Sequence, residues 1–248
     1  MPDRNWFEDW FNSHYYHLLY NNRDDSEAFA FINKLIAYLK PANNSTMLDV
    51  ACGKGRHSKA LAEMGFDVTG IDISFNSIEE AIASETDQLH FYRHDMRLPF
   101  WINYFDYAFN FFTSFGYFRT KREHDNAIRT ISQSLKPGGI FVIDYLNVHF
   151  AVDSMEKTFT KEINGTVFHI TKWHDDAHFF KQIQVTDAAT KTLKHLYTER
   201  VAKFTLGDFT DMLAYQDMQV QEVFGDYQLG RYDVRKSPRM IIVAKKGR

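Results

Sequence analysis

The stretch "LDVACGKGRHS", residues 48–58, restricts the fold more than any other part of the chain. An apolar run ends in two glycines around a lysine, and residues able to start a helix follow. A strand that turns through glycine into a helix presents bare backbone and outward N–H groups to a ligand, because glycine has no Cβ to block the approach. A nucleotide or nucleoside suits such a turn. A complete dinucleotide fingerprint needs a third glycine three residues after the second, and Ser58 stands there instead. Asp72, in "GIDIS", is placed to accept hydrogen bonds from both hydroxyls of a ribose.

The surrounding pattern alternates. Asp24 and Glu27 form a capping-box pair before a helix whose Ile32, Leu35, Ile36 and Leu39 share a face, closed by Pro41. Strands are expected at 46–51, 67–72, 88–92 and 104–110, with helices at 55–65 and 75–84. Thr120 and Glu123 cap a further helix, which "KPGG" should end before the apolar strand "IFVIDYL". This alternation predicts a parallel sheet. After residue 155 the rhythm changes to short alternating runs around the Asn164-Gly165 turn signal, an antiparallel meander of about four strands. A short helix at Phe209, Met212 and Leu213 and the strands "VQEVF" and "RMIIVAKK" then complete the pattern. The fold class expected is α/β: a Rossmann-like, seven-stranded, mostly parallel sheet with a C-terminal antiparallel hairpin strand and an inserted β meander. The whole chain, 1–248, reads as one domain: an N-terminal helical arm or lid (1–44), a cofactor-binding core (45–150), the insertion (155–205) and a C-terminal completion of the sheet (206–248).

Charge narrows the partners. With 29 basic and 32 acidic residues, a net charge of −3 supplies no general attraction to a polyphosphate. In the meander, Lys157, Lys161, Lys172, Lys181, Lys191, Lys194 and Arg200 are interleaved with acids, so no phosphate-tracking stripe forms. Nucleic acid is therefore not an expected partner. The single cysteine, Cys52, allows no intramolecular disulfide, and no histidine spacing suits a metal, so none is assigned. The N-terminus lacks a signal-like apolar stretch and no segment approaches a membrane span, so the expectation is a cytoplasmic protein with no membrane partner. Oligomeric state is left open.

Asp49 inside the first strand, Asp95 in "HDMRLPF" and the closing pair of strands extend the pattern. Together with "DMRLPF", "FTSFGYF" and "LKPGGIFVID", these features make the chain resemble the class I S-adenosylmethionine-dependent methyltransferases, in a small-molecule branch with an antiparallel insertion after the fifth strand. The resemblance is strong over 46–150 and weaker beyond. It implies S-adenosylmethionine as cofactor. It further implies that Asp49, Ala51, Gly53 and Gly55 surround the methionine part, with Ala51 where many members have glycine, and that Asp72 binds the ribose. Ile73 and Met96 would sandwich the adenine, Asp95 would accept from its amine, and Phe111 would border the reacting methyl.

A sulfonium already activates its methyl group, so the protein mainly aligns a nucleophile, of nitrogen or oxygen, and excludes water. Tyr145, Asn147 and His149 are positional candidates for taking a proton. Tyr16 and Tyr20 in the aromatic arm, with Phe115 and Tyr117, are candidate lid or substrate residues for a compact, partly apolar acceptor. Plainer readings compete: ordinary turn glycines, a helix N-terminal charge at Asp72, a solvated loop acid at Asp95, and arm aromatics that serve as helix packing. Two other functions also compete. A nicotinamide oxidoreductase is disfavoured by the missing third glycine and by Asp95, and a non-catalytic cofactor-binding module shares the same motifs. "NFFTSF" also lacks the Asn/Asp-Pro-Pro-aromatic arrangement that holds a base amine.

Overall fold

The computed structural model describes residues 6–20 and 25–247, with the side chains of 25–27 excepted. The Asp24–Glu27 capping box expected from the sequence lies outside the described residues. The arm forms α1 (Trp6–Phe11) and α2 (His14–Tyr20), and α3 (Asp25–Leu39) leads into the sheet. The alternating core follows as β1 (Thr46–Val50), α4 (Arg56–Glu63), β2 (Asp67–Asp72), α5 (Phe75–Ile82), β3 (Leu89–Arg93), β4 (Phe105–Asn110), α6 (Lys121–Ser134) and β5 (Leu135–Leu146). Then come α7 (Val148–Asp153), the meander β6 (Thr158–Ile163), β7 (Thr166–His174), β8 (His178–Asp187) and β9 (Leu193–Ala202), and finally α8 (Leu206–Ala214), β10 (Met218–Phe224) and β11 (Arg239–Lys246).

The main sheet has the order β10-β11-β5-β4-β1-β2-β3, parallel from β5 to β3 and antiparallel at β11 with both neighbours. Strand order reverses between β1 and β4. Ligands of open α/β sheets settle at such a switch point, beyond the carboxyl ends of the strands. The meander is a separate four-stranded sheet.

Buried strands with apolar residues on both faces hold the centre: Leu48 and Val50 lie on one side of the sheet, Met47 and Phe109 on the other. Thr120 and Glu123 form the expected capping box. One expectation is corrected: "KPGG" does not separate helix from strand, because β5 starts at Leu135 directly after α6 and includes those four residues. A Cβ on Gly139 would meet the Lys136 carbonyl at 2.9 Å and the Asp106 carbonyl at 3.2 Å, so glycine there allows the strand to run tight against β4. The short α7 was not expected from the sequence; Asn147 caps it by accepting the His149 N–H at 3.3 Å. The arm is itself core: Trp10 and Leu19 pack with Phe168, Ile170, Ile183 and Val185 of the meander. No helix among the described residues is long and apolar enough to cross a membrane.

Candidate functional site

The glycine turn after β1 takes its shape from three left-handed residues, Ala51 (φ 60°), Gly53 (φ 57°) and Gly55 (φ 78°). At Gly55 a side chain would collide with the Phe91 ring, so the close approach of α4 to β3 demands glycine. The Gly53 N–H donates to Asp72 Oδ2 at 2.9 Å and the Ser74 N–H donates to Oδ1 at 2.7 Å. Each carboxylate oxygen keeps acceptor capacity for a further donor. Behind the turn, the Ser58 hydroxyl donates to the buried Asp49 Oδ2 at 2.6 Å. The residue in the place of a third glycine therefore ties the strand to the first turn of α4. Burial pushes Asp49 up to about 7; the Ser58 hydroxyl opposes the rise and nearby Asp72 adds to it. Burial also raises Asp72, against the pull of its backbone N–H donors.

This turn opens into a cavity of about 880 Å³. Ala51, Gly53, Asp72, Ile73, Asp95, Met96 and Phe111 line it from the core, Phe11, Tyr16 and Tyr20 from the arm, and Tyr117 and Glu199 from the β4–α6 loop and the meander. Two anchors hold the arm across it. Asn12 Oδ1 accepts from the Ser74 hydroxyl at 3.1 Å and the Asn76 N–H at 2.9 Å, next to Asp72. At the other end the Trp10 indole N–H donates to Glu199 Oε1 at 2.7 Å. The rings of Tyr117, Phe11, Tyr16 and Tyr20 form a continuous chain with centroids 5.2, 5.1 and 4.8 Å apart. The Asp95 carboxylate is held by the Arg97 guanidinium, whose Nε lies 3.0 Å from each oxygen and whose Nη1 also reaches Glu123 at 2.7 Å.

The loop after β4 is strained. Phe112 (φ 56°) and Thr113 (φ 58°) are consecutive non-glycine residues in the left-handed region, an arrangement that persists only where the surroundings enforce it. Asp144, fully buried on β5, supplies the enforcement. Its carboxylate accepts from the Phe112 N–H (2.8 Å), the Tyr227 hydroxyl (3.0 Å) and Arg239 Nε (2.8 Å), and its carbonyl accepts from the Thr113 N–H (3.0 Å). Arg239 Nη2 donates to Thr113 Oγ1 at 2.8 Å.

A methyltransferase domain model matches residues 41–184, more than half of the chain. The chain belongs to the methyltransferase domain family. Among its relatives are an amino-sugar N,N-dimethyltransferase from Streptomyces venezuelae, 32% identical over 40% of this chain and 42% of that protein, and rat glycine N-methyltransferase, 24% identical over 77% of this chain and 72% of that protein. The first of these is matched over only about two-fifths of its length. A solved S-adenosylmethionine-dependent methyltransferase from Clostridium acetobutylicum has the same fold, with a TM-score of 0.77 at 17% identity over 94% of this chain and 96% of that one. S-adenosylmethionine is thus the cofactor of the family to which the chain belongs.

The methyltransferase cavity gathers most of the residues expected from sequence and leaves others behind. Ala51, Gly53, Asp72, Ile73, Asp95, Met96, Phe111, Tyr16, Tyr20 and Tyr117 line it. Asp49 and Gly55 support the turn from behind. Phe115 is buried against His124, Phe204 and Phe209, outside the lining. Tyr145 is likewise buried, its hydroxyl donating to the Ala202 carbonyl at 2.6 Å, and burial pushes its pKa up. Asn147 donates to the carbonyls of Val234 (3.0 Å) and Ser237 (2.8 Å). With His149 it borders a separate cavity of about 240 Å³. Among titratable groups that do line the main cavity, His17 is lowered by burial and by Lys54. No group of three His, Cys, Asp or Glu side chains able to hold a metal occurs among the described residues. Sequence reasoning missed Glu199, Asp144 and Arg239. An acid inside the apolar run "IFVIDYL" was the one available signal, since a charge in a doubly buried strand requires a partner.

Proposed function

We propose that the chain transfers a methyl group from S-adenosylmethionine to a nitrogen or oxygen of a small molecule. The observation that carries this reading is the single cavity in which the glycine turn and Asp72 meet a roof made by the arm and the meander. The donor set fits the cofactor: Asp72 retains lone pairs for ribose hydroxyls, and Ile73 and Met96 offer apolar contact for the adenine. When bound, the cofactor supplies an activated methyl on a sulfonium. The chain's own residues orient and enclose: Phe111 and the Phe112–Thr113 turn shape the floor, and the aromatic faces of the arm suit a cation. The roof favours a compact acceptor over a polymer. The relatives that are named for methylating glycine and an amino sugar favour nitrogen.

Calorimetric titration with S-adenosylmethionine and NAD in parallel separates this reading from an oxidoreductase; binding of NAD alone would refute it. Labelled methyl transfer is then followed into amine, phenol and carboxylate panels and into bulk RNA and protein. Label in metabolites is the expected result. Label confined to polymers would overturn the small-molecule acceptor, and tight cofactor binding with no turnover would favour a non-catalytic binding module.

A further inference from the structure

The notable charge in the roof of the cavity is Glu199. It comes from β9 of the meander, is 8% exposed and lines the cavity. Its Oε1 accepts from the Trp10 indole at 2.7 Å and the Tyr20 hydroxyl at 3.1 Å. Its Oε2 is ion-paired with the Lys181 ammonium at 3.7 Å but accepts no hydrogen bond from a described residue, because that ammonium donates to the Tyr20 hydroxyl. An ion pair at that distance neutralises charge without filling the lone pairs, so an oxygen that lines a ligand cavity keeps acceptor capacity for a donor brought by the ligand. The Lys181 ammonium already stands 4.6 Å over the Tyr20 ring, and the ring of Tyr16 packed on Tyr20, with Phe11 and Tyr117 beyond it, continues an aromatic wall that suits a cationic donor.

The strand that carries Glu199 is also tied to the loop that the methyl-transfer reading sets beside the acceptor. The Ala202 N–H donates to the Gly116 carbonyl at 2.9 Å and Arg200 Nη2 reaches the Phe118 carbonyl at 3.5 Å, so β9 is fastened to the loop that follows Phe111. We infer that Glu199, with the aromatic wall around it, is the acceptor-recognition site and selects a small molecule bearing an amino group. The inference rests on the methyl-transfer reading and narrows it from nitrogen or oxygen to amine nitrogen. Glu199 acts as a specificity residue that holds the ammonium or amine end while the sheet holds the cofactor. The same chemistry is carried by the α-ammonium of the cofactor, so the test has to tell the two apart.

The Trp10 indole N–H is a built-in reporter of the Glu199 carboxylate. In the protein saturated with S-adenosylhomocysteine, its ¹H–¹⁵N cross-peak, assigned by its loss in Trp10→Phe, is followed while methylamine, cyclohexylamine and benzylamine are titrated, each against the alcohol of the same carbon skeleton. The amines are expected to shift the peak saturably and the alcohols not; Glu199→Gln should weaken amine binding tenfold or more. Glu199→Asp, which keeps the charge, should retain the preference for amine over alcohol. The affinity for S-adenosylhomocysteine should stay within twofold in Glu199→Gln. Equal response to amines and alcohols, no response to any amine, or an unchanged amine affinity in Glu199→Gln would overturn the inference. So would a tenfold loss of S-adenosylhomocysteine affinity with unchanged binding of 5′-methylthioadenosine, which lacks the amino-acid part, because the cofactor would then be the occupant. Failure of the parent reading shows separately, as absence of cofactor binding in the unaltered protein.

Discussion

Replacing Arg239 with methionine tests whether the ion pair under the β4 loop holds the floor of the cavity. Asp144 is fully buried, and its carboxylate would keep only the Phe112 N–H and the Tyr227 hydroxyl as donors. Removing one member of a buried pair costs about 3–5 kcal/mol, because the survivor stays charged in a poor environment. Arg239 retains 18% side-chain exposure and water can reach its vacated place, so the lower end, about 3 kcal/mol, applies. For a domain of this size about 2–4 °C of melting temperature accompanies each kcal/mol, which gives a fall of roughly 6–12 °C. Urea denaturation of Arg239→Met, Asp144→Asn and the double variant forms a complete cycle. The double variant should lose much less than the sum of the single losses, since neutralising both members removes the stranded charge. A cost below about 1 kcal/mol for Arg239→Met, or strict additivity, would refute the reasoning.

Asp72→Ala should weaken S-adenosylhomocysteine binding by about 1.5–3 kcal/mol, read by calorimetry, because it removes charge-assisted acceptors; an unchanged affinity would end the ribose assignment. Ala51→Gly should stabilise the protein by about 0.5–1 kcal/mol in urea denaturation, since relief at a left-handed residue exceeds the entropy that glycine costs. The pH dependence follows from Asp49, whose folded-state pKa of about 7 lies above its ordinary value of 3.8. Between those values the folded state binds the extra proton, so the stability of the ligand-free protein falls as pH rises from about 4 to about 7, by about 1.4 kcal/mol for each pH step of one, and is level above. Asp49→Asn, which still accepts from Ser58, should flatten that slope in denaturation curves taken across the range.

The parallel half of the sheet was legible in the sequence because its signals are local. Apolar runs of strand length, a glycine turn and an acid at the end of the next strand fixed β1, α4 and β2 to within two residues. The meeting of Asp72 with the glycine turn was legible for the same reason: Asp72 sits at the carboxyl end of β2, and that end faces the turn. What remained hidden depends on contacts distant in sequence. Glu199 enters the cavity only because β9 pairs with β8 and packs against an arm nearly two hundred residues earlier, at Trp10. Tyr145 lies at the end of the strand that borders the site and Asn147 and His149 follow it, yet the Tyr145 and Asn147 side chains face packing and capping partners and His149 borders the separate cavity, because a position in sequence does not give the direction of a side chain. The strain at Phe112 and Thr113 has no local signature either, since neither residue is glycine.

The position of β11 sets an order on biosynthesis. The last strand among the described residues is second from the edge of the main sheet, between β5 and β10, and Arg239 at its start completes the support beneath the β4 loop. Until residues 239–246 have left the ribosome, β5 presents an unpaired, strongly apolar edge, and such edges are prone to pair with other chains. The nascent chain can pair β1 with β2 early, but the floor of the cavity acquires its shape only once residues 239–246 are available. A ribosome stalled shortly before Arg239 would release a chain with its glycine turn formed and no finished floor, and therefore a substrate for proteolysis rather than a slower enzyme.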